Sequence, residues 1–293
     1  MADEITVSQL AGSIPDVVRK AELEARIDAA VISKNVSNYS VDVQGKGDRV
    51  SLSIMPSISV NDVGSGGSVA NQQVSVTAVE VVVDKWKEMT VDIADRSSAQ
   101  SALDLVKAFG KQFGRKLAEK QDTDLAAEHS NMTTYTVGDT TNPSTLSDGL
   151  IRLAMLKLDK NSSGANGTGT VPQVGRKFFL SPDAHSDVLA QARFSEAQNT
   201  GLDRGLQVSG GKVSGLYGNP VFMTNQIATS GSVRKNMYLH EEGLAIATQR
   251  KMKIETLART KLSTPLSGHL LYGVKTVRAD HCVILNTAIA SDA

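Results

Sequence analysis

The segment from 98 to about 128 constrains the fold more than any other part of the sequence, because it predicts one long amphipathic helix. Its start is marked by a capping box, Ser97-Ser-Ala-Gln100, in which a serine hydroxyl and a glutamine amide satisfy backbone amides of the first turn. Apolar side chains then recur at helical spacing at Ala102, Leu103, Val106, Phe109, Phe113, Leu117 and Leu125. At about 1.5 Å per residue such a helix is roughly 45 Å long, so it extends beyond an ordinary core.

Five neighbouring positions on this helix are predicted to pack against another element: Phe109, Gly110, Phe113, Gly114 and Leu117. Gly110 and Gly114 are four residues apart, a spacing that permits a close approach of backbones. No apolar run in the chain approaches the ~18 residues of a membrane span, so the spacing does not indicate a membrane dimer. It predicts tight packing inside a protein core.

Two alternating segments before the helix, 48–55 and 73–83, predict a long β-hairpin. The apolar positions on one face are Val50, Leu52 and Ile54 in the first strand and Val74, Val76 and Ala78 in the second. A polar tip with Gly64, Gly66 and Gly67 separates the two strands. A two-stranded ribbon alone is marginal in water, so the hairpin needs cover from its own domain or from another subunit.

The charges of the chain balance in total but not along its length. The 293 residues contain 31 Lys+Arg and 31 Asp+Glu, a formal net charge of zero. Residues 1–96 carry 9 basic and 14 acidic side chains, whereas residues 249–293 carry 7 basic and 3 acidic. A chain without net charge lacks the self-repulsion that keeps copies apart, and its acidic front and basic back attract each other within one fold or between copies.

No arrangement of residues in the sequence indicates catalysis, a metal or a cofactor. The five histidines lack the His-x-x-x-His spacing that places two imidazoles on one helical face, and the single Cys282 excludes a multi-thiolate site. His281 and Cys282 are adjacent, and neighbours in a strand point to opposite faces. The glycine-rich run 210–215 lacks the ending of a phosphate loop. Asp122 and Asp124 are explained by charge at a helix end. The sequence therefore predicts a protein that is not an enzyme, with no catalytic, cofactor-binding or metal residues.

The second half of the chain predicts a mixture of helices and strands. A polar break at 133–145 precedes a helix ending at 160, and a buried strand at 177–180 precedes a helix over 182–192 that Ser181 caps. Further short strands are predicted at 213–216, 220–224, 237–240, 250–258, 270–278 and 282–286. The fold class is therefore α+β.

The order of these elements is recognisable: an acidic helical arm, a long hairpin, a capped long helix and a mixed domain. Residues 178–189 contain a strand and a helix that opens at Ser-Pro, and residues 211–225 contain a strand, Gly-Asn-Pro-Val, a second strand and Asn. Residues 234–247 include Leu-His-Glu-Glu-Gly-Leu-Ala. Over about 45–290 the chain resembles the major capsid proteins of tailed bacteriophages, which have the Hong Kong 97-type fold.

The resemblance implies four structural parts, two of them discontinuous in sequence. They are an N-terminal arm (1–45), an extended β-hairpin loop (46–85), a peripheral domain with the long spine helix (86–140 and 249–278), and an axial domain (141–248 and 279–293).

The resemblance also implies a function, which is self-assembly into pentamers and hexamers of an icosahedral head that encloses double-stranded DNA. The expected partners are further copies of the chain, a portal protein, a separate scaffolding protein, a decoration or cement protein, and packaged DNA through non-specific contacts. No membrane is involved. The protein is expected in the virion, after assembly in the host cytoplasm.

Contacts between subunits are expected at the hairpin and at the basic strands near the C-terminus. The residues concerned are Arg49, Asp62, Gly64, Gly66, Gly67, Glu80, Arg259 and Lys261. Some members of the family join subunits covalently through a lysine of the hairpin. Residues 57–72 contain no lysine, so no such crosslink is expected from this tip.

Three other functions remain open at this point. An encapsulin-type compartment shell has the same architecture but encloses enzyme cargo. A soluble enzyme with an unrecognised site belongs to a different class. A phage tail or cement protein is structural but lacks the spine helix.

Overall fold

Two β-sheets and one long helix make up most of the fold, as seen in a computed structural model. It describes residues 29–290 apart from 44–46, 56–57, 59–60, 64, 66, 68–70, 74, 95–104, 161–170, 192–193, 195–207, 210–211, 214 and 258–262. The described α-helices are α1 (Ser40–Val43), α2 (Leu105–Ala127), α3 (Asp148–Lys160) and α4 (Pro182–Ala190). The described strands are β1 (Ser37–Asn38), β2 (Arg49–Ile54), β3 (Thr77–Val82), β4 (Lys85–Ala94), β5 (Tyr135–Val137), β6 (Arg176–Leu180), β7 (Val208–Ser209), β8 (Lys212–Val213), β9 (Gly215–Leu216), β10 (Asn219–Met223), β11 (Thr229–Ser230), β12 (Val233–His240), β13 (Leu244–Thr256), β14 (Ser263–Thr276) and β15 (Cys282–Ala288).

The first sheet has four strands in the order β1-β13-β14-β4. Strands β13 and β14 form a long antiparallel pair, β4 continues it antiparallel to β14, and β1 runs parallel to β13. The sequence does not predict β4. The half-buried face of β4 starts with Lys85 and Lys87, and Trp86 lies exposed on the opposite face. The start of the strand therefore has polar residues inside and an apolar residue outside, the reverse of the usual pattern.

The long helix predicted from the sequence is confirmed over Leu105–Ala127, about 35 Å at ~1.5 Å per residue. Its predicted capping box, 97–100, lies outside the described residues. Phe113 and Leu117 are buried in the largest core cluster, against which Phe109 packs. Other members of this cluster come from the four-stranded sheet: Ile93, Ile246, Met252, Leu266, Leu270, Tyr272 and Val274. The helix therefore packs across this sheet.

Two carboxylates tie the end of α2 to β14. Asp124 accepts a hydrogen bond from the Tyr272 hydroxyl at 2.7 Å, and Glu128 accepts one from the Thr276 amide at 3.0 Å. Burial acts to raise the pKa of Asp124, but hydrogen bonds from Lys120 and Tyr272 outweigh it, so the pKa lies below its usual value. The carboxylate is therefore ionised at neutral pH and holds the helix in register with the strand.

The second sheet has seven strands, in the order β5-β15-β12-β6-β10-β9 with β11 beside β12. Its central strands are buried on both faces, which explains their continuous apolar runs. In β6, Phe178 faces one core cluster and Phe179 the other. Helices α3 and α4 cover the face that bears Phe178. The predicted strand and helix around Ser181 are confirmed, and the Ser181 hydroxyl accepts a hydrogen bond from the Ala184 amide at 3.3 Å.

Two sequence-based predictions differ from the structure. The second hairpin strand buries Val79 and Val81, which pair with Leu52 and Val50, so the predicted inner face through Val76 and Ala78 is wrong. The valine run 81–83 is apolar in either register, so the sequence alone does not determine the face. The polar break at 133–145 also contains a strand, β5, which pairs with β15.

Candidate assembly surfaces

The hairpin of β2 and β3 forms its own two-stranded sheet, and its strands hydrogen-bond to no other described strand. Val50 and Val81 are buried at its base, where they join Ala245 and Ala247 of β13 in a small core cluster. The base is therefore held by its own subunit. The part toward the tip has no such support.

Close backbone packing fixes the base of this hairpin. The Thr248 amide of β13 donates a hydrogen bond to the Ser40 hydroxyl at 2.9 Å, just before the hairpin begins. The Val83 amide donates to the Asp48 carbonyl at 2.8 Å. At Gly273 of β14 an added Cβ atom would lie 2.0 Å from the carbonyl oxygen of Val82. Only glycine permits this approach, so the sequence encodes the attachment of the hairpin to the sheet.

The hairpin exposes large apolar side chains that nothing else in the described chain covers. They are Met55, Ile58, Val63, Val76 and Val82, each between 43% and 69% exposed. Five exposed apolar side chains on one hairpin, whose strands pair with no other described strand, indicate a contact with another molecule, because single scattered residues would be ordinary.

A second exposed apolar feature lies on the four-stranded sheet. Trp86, the only tryptophan of the chain, is 62% exposed on the edge strand β4, and its ring centroid lies 6.2 Å from that of His269. Tryptophan is enriched at the energetic centres of protein interfaces. The sequence does not predict Trp86 as a contact residue, and the one signal it offers is that this is the single tryptophan of the chain.

Several solved structures superpose on this chain over most of its length. A chain of Mycobacterium phage Che8 superposes with a TM-score of 0.70 at 20% sequence identity, covering 87% of this chain and 90% of that one. A chain from the capsid structure of the cyanophage P-SCSP1u superposes with a TM-score of 0.65 at 15% identity, covering 89% of each. The chain has the Hong Kong 97-type capsid fold.

The capsid fold is shared more distantly with another assembly. A chain of the virus-like particle from Pyrococcus furiosus superposes with a TM-score of 0.56 at 10% identity, covering 92% of this chain and 98% of that one. No family model matches the sequence, and no curated protein matches it. The likeness therefore lies in the fold.

The residues that the sequence predicts at subunit contacts differ in whether they are paired within the chain or exposed. Arg49 donates a hydrogen bond to Glu80 at 2.9 Å across the hairpin and two to Asp48, whose pKa these contacts lower. Asp62 and Gly67 are exposed toward the tip. The other predicted contact residues, Gly64, Gly66, Arg259 and Lys261, lie outside the described part of the chain.

Asp122, which the sequence analysis attributes to charge at a helix end, has a specific role. Its side chain is almost fully buried, and its two oxygens accept hydrogen bonds from the amides of Val31, Ile32 and Ser33 at 2.8 to 3.1 Å. The carboxylate fastens the backbone of residues 31–33 to helix α2. About 90 residues separate the partners in sequence, so no local pattern reveals the contact.

Two of the described histidines, His240 and His281, are buried and pack against each other. The rings of His240 and His281 meet edge to face, with centroids 5.8 Å apart, and His240 Nε2 lies 2.9 Å from the Val174 carbonyl oxygen. Within the described ranges, no three His, Cys, Asp or Glu residues gather in a way that could hold a metal ion. None of the helices described is long and apolar enough to cross a membrane.

Burial should make Cys282 chemically inert. Its side chain is fully buried, and desolvation raises the pKa of the thiol, so the nucleophilic thiolate does not form near neutral pH. We expect no reaction of the native protein with a thiol reagent such as DTNB at pH 8, and one thiol per chain after unfolding in guanidinium. Rapid labelling of the native protein would show that the site opens readily.

Proposed function

We propose that this chain is the major capsid protein of a tailed bacteriophage, which assembles into hexamers and pentamers and closes an icosahedral head around double-stranded DNA. The observation that carries the proposal is the hairpin, which is anchored at its base and apolar toward its tip, on a chain with the capsid fold. Such a hairpin is stable only when another surface covers it, and a neighbouring copy supplies that surface in a closed shell.

The energetics of a shell fit contacts of this kind. Covering a large apolar side chain contributes about 1.5 kcal/mol or more. A handful of such side chains gives a modest contact between two copies, from which the cost of association must be subtracted. A closed shell repeats the contact at every subunit, so weak pairwise contacts suffice for a stable particle. The zero net charge removes long-range repulsion between copies.

The division into arm, hairpin loop, peripheral domain and axial domain is part of the proposal. The seven-stranded sheet with α3 and α4 corresponds to the axial domain, and the four-stranded sheet with α2 to the peripheral domain. Residues 31–43, in the C-terminal part of the proposed arm, contact the Asp122 carboxylate and strand β13. This part of the arm is therefore held by its own subunit.

The proposal includes partners outside the chain. A portal protein, a separate scaffolding protein and a decoration or cement protein would contact the shell, and DNA would contact its inner surface through the phosphate backbone without sequence preference. The virion is the proposed location, after assembly in the host cytoplasm.

Electron microscopy of the purified chain tests the proposal. We expect closed shells of uniform diameter from the unmodified protein at high concentration. A variant in which Asn-Gly replaces residues 55–76 joins β2 to β3 through a tight turn. It should retain cooperative unfolding, and its assembled fraction should fall below about a tenth. Dispersed small particles from the unmodified chain would contradict the proposal, and so would normal shells from the shortened one.

A compartment shell with enzyme cargo is separated from a DNA-filled head by what the particle contains. Particles isolated from the producing cells should hold nuclease-protected double-stranded DNA, with the corresponding rise in absorbance at 260 nm. Particles that instead contain a copurifying enzyme would favour the compartment. The closer superposition on the two phage chains is the observation that favours the head.

A further inference from the structure

One charge stands alone on the hairpin. Between positions 50 and 79 the only ionisable side chain is Asp62, which is exposed near the tip beside Val63, itself 54% exposed. At the hairpin base, Arg49 is paired with both Asp48 and Glu80. A contact that covers the apolar tip must therefore also accommodate the Asp62 carboxylate, because an unpaired buried charge is costly.

A cleft of about 460 Å³ lies beside the spine helix and strand β13. Its rim carries two exposed lysines, Lys34 and Lys251, and the nearly fully exposed Val41. Neither lysine forms an ion pair with any residue that the structure describes. The cleft thus offers two ammonium groups and an apolar rim, which match a carboxylate with an adjacent valine.

The polar groups deeper in the cleft are already engaged. The Ser40 hydroxyl donates to the Asn38 side chain and accepts a hydrogen bond from the Thr248 amide. The Asn38 oxygen also accepts a hydrogen bond from the Ser40 amide. Among the residues that line the cleft, only Lys34 and Lys251 are charged, and their ammonium groups favour an anion as the ligand.

Whether the anion comes from the same chain or from another copy depends on where the hairpin places Asp62 relative to the cleft. The paired strands β2 and β3 run from the base, where Arg49 pairs with Val82, to Ile54 and Thr77, about 17 Å away, and Asp62 follows eight residues after Ile54 in the chain. The cleft lies at the opposite end, beside the hairpin base, where Gln249 donates a hydrogen bond to the Gly47 carbonyl. An extended hairpin therefore carries Asp62 away from its own cleft.

We propose that the cleft between Lys34 and Lys251 receives the hairpin tip of a second copy of this chain, with Asp62 seated between the two lysines. Val63 of the tip then packs on Val41 at the rim. The inference rests on the proposed function and adds the site on the neighbour that the hairpin occupies. It assigns the charge complementarity between the acidic front and the basic back of the chain to Asp62 and Lys251.

Charge reversal with rescue tests the pairing. We expect Asp62→Lys and Lys251→Asp each to raise the protein concentration needed for shell assembly by about tenfold, because each brings like charges together. The double variant should return that concentration to within about threefold of the unmodified chain. Asp62→Lys combined with Lys157→Asp, which alters an exposed lysine on α3, should show no rescue. Circular dichroism and urea unfolding confirm that every variant is folded.

Each outcome of this experiment decides a distinct point. Normal assembly of both single variants, or loss of assembly that the double variant fails to restore, overturns the pairing while the proposed function stands. A Lys251→Asp variant that assembles normally but no longer retains DNA overturns it in favour of nucleic acid as the ligand of the cleft. If the unmodified chain forms no shells at all, the proposed function falls and this inference falls with it.

Discussion

Replacing Gly273 with alanine is expected to destabilise the protein by about 3 kcal/mol and to abolish assembly. The new Cβ atom would lie 2.0 Å from the Val82 carbonyl oxygen and 2.8 Å from its carbon. Both are backbone atoms at the base of the hairpin, so no side-chain rotation relieves the overlap. The hairpin must shift away from β14, and its tip then no longer meets the neighbouring copy at the required place.

Urea unfolding and sedimentation measure the two effects of Gly273→Ala. Gly149→Ala is the matched control, because its Cβ would meet nothing nearer than the Ser147 hydroxyl at 3.8 Å within helix α3. Alanine in a helix is favoured over glycine by up to about 1 kcal/mol, so this control should be neutral or slightly stabilising. Equal stability of the two variants would show that the hairpin base adapts to the extra atom.

The second large effect is expected from Asp122→Asn, which should lower the free energy of unfolding by about 3 kcal/mol. Oδ2 of Asp122 accepts the Val31 and Ile32 amides, and Oδ1 accepts the Ser33 amide. Asparagine has nearly the same shape but replaces one acceptor oxygen with an NH₂ donor. At least one backbone amide would then face another donor in a buried site.

Asp92→Asn on the exposed face of β4 provides the control for this change and should alter stability by less than about 0.5 kcal/mol. The segment that Asp122 holds leads directly to Lys34 at the rim of the cleft. Asp122→Asn should therefore also weaken assembly under conditions in which the monomer remains folded. Unfolding midpoints that are the same for the two variants would contradict the role assigned to Asp122.

The sequence correctly predicts those elements in which neighbouring residues alone show where the element begins or which of its faces is buried. Helix α2 has a regular apolar stripe, and Ser181 is followed by proline at the first helical position, so both follow from local rules. Strand β4 has lysines on its inner face and a tryptophan on its outer face. Only its pairing with β14 reveals it as a strand.

The candidate site is predictable to a smaller extent. Asp62 and the glycines of the tip follow from the composition of the hairpin. Arg49 and Glu80 are also conspicuous in sequence, but they pair with each other across two strands. Local sequence patterns do not reveal the roles of Asp122, Gly273 or the two lysines of the cleft. Each of these residues lies near a residue about 90 to 220 positions away in the sequence, and such distant neighbours produce no local periodicity.

The most direct test of the proposed assembly is a cryo-electron microscopy reconstruction of the particle. We expect a closed icosahedral shell in which the hairpin, residues 49–82, extends over a neighbouring subunit and Asp62 lies beside the partner's Lys34 and the partner's Lys251. A particle in which the hairpin folds back onto its own subunit, or in which no neighbour covers its apolar tip, would show that the proposed assembly is wrong.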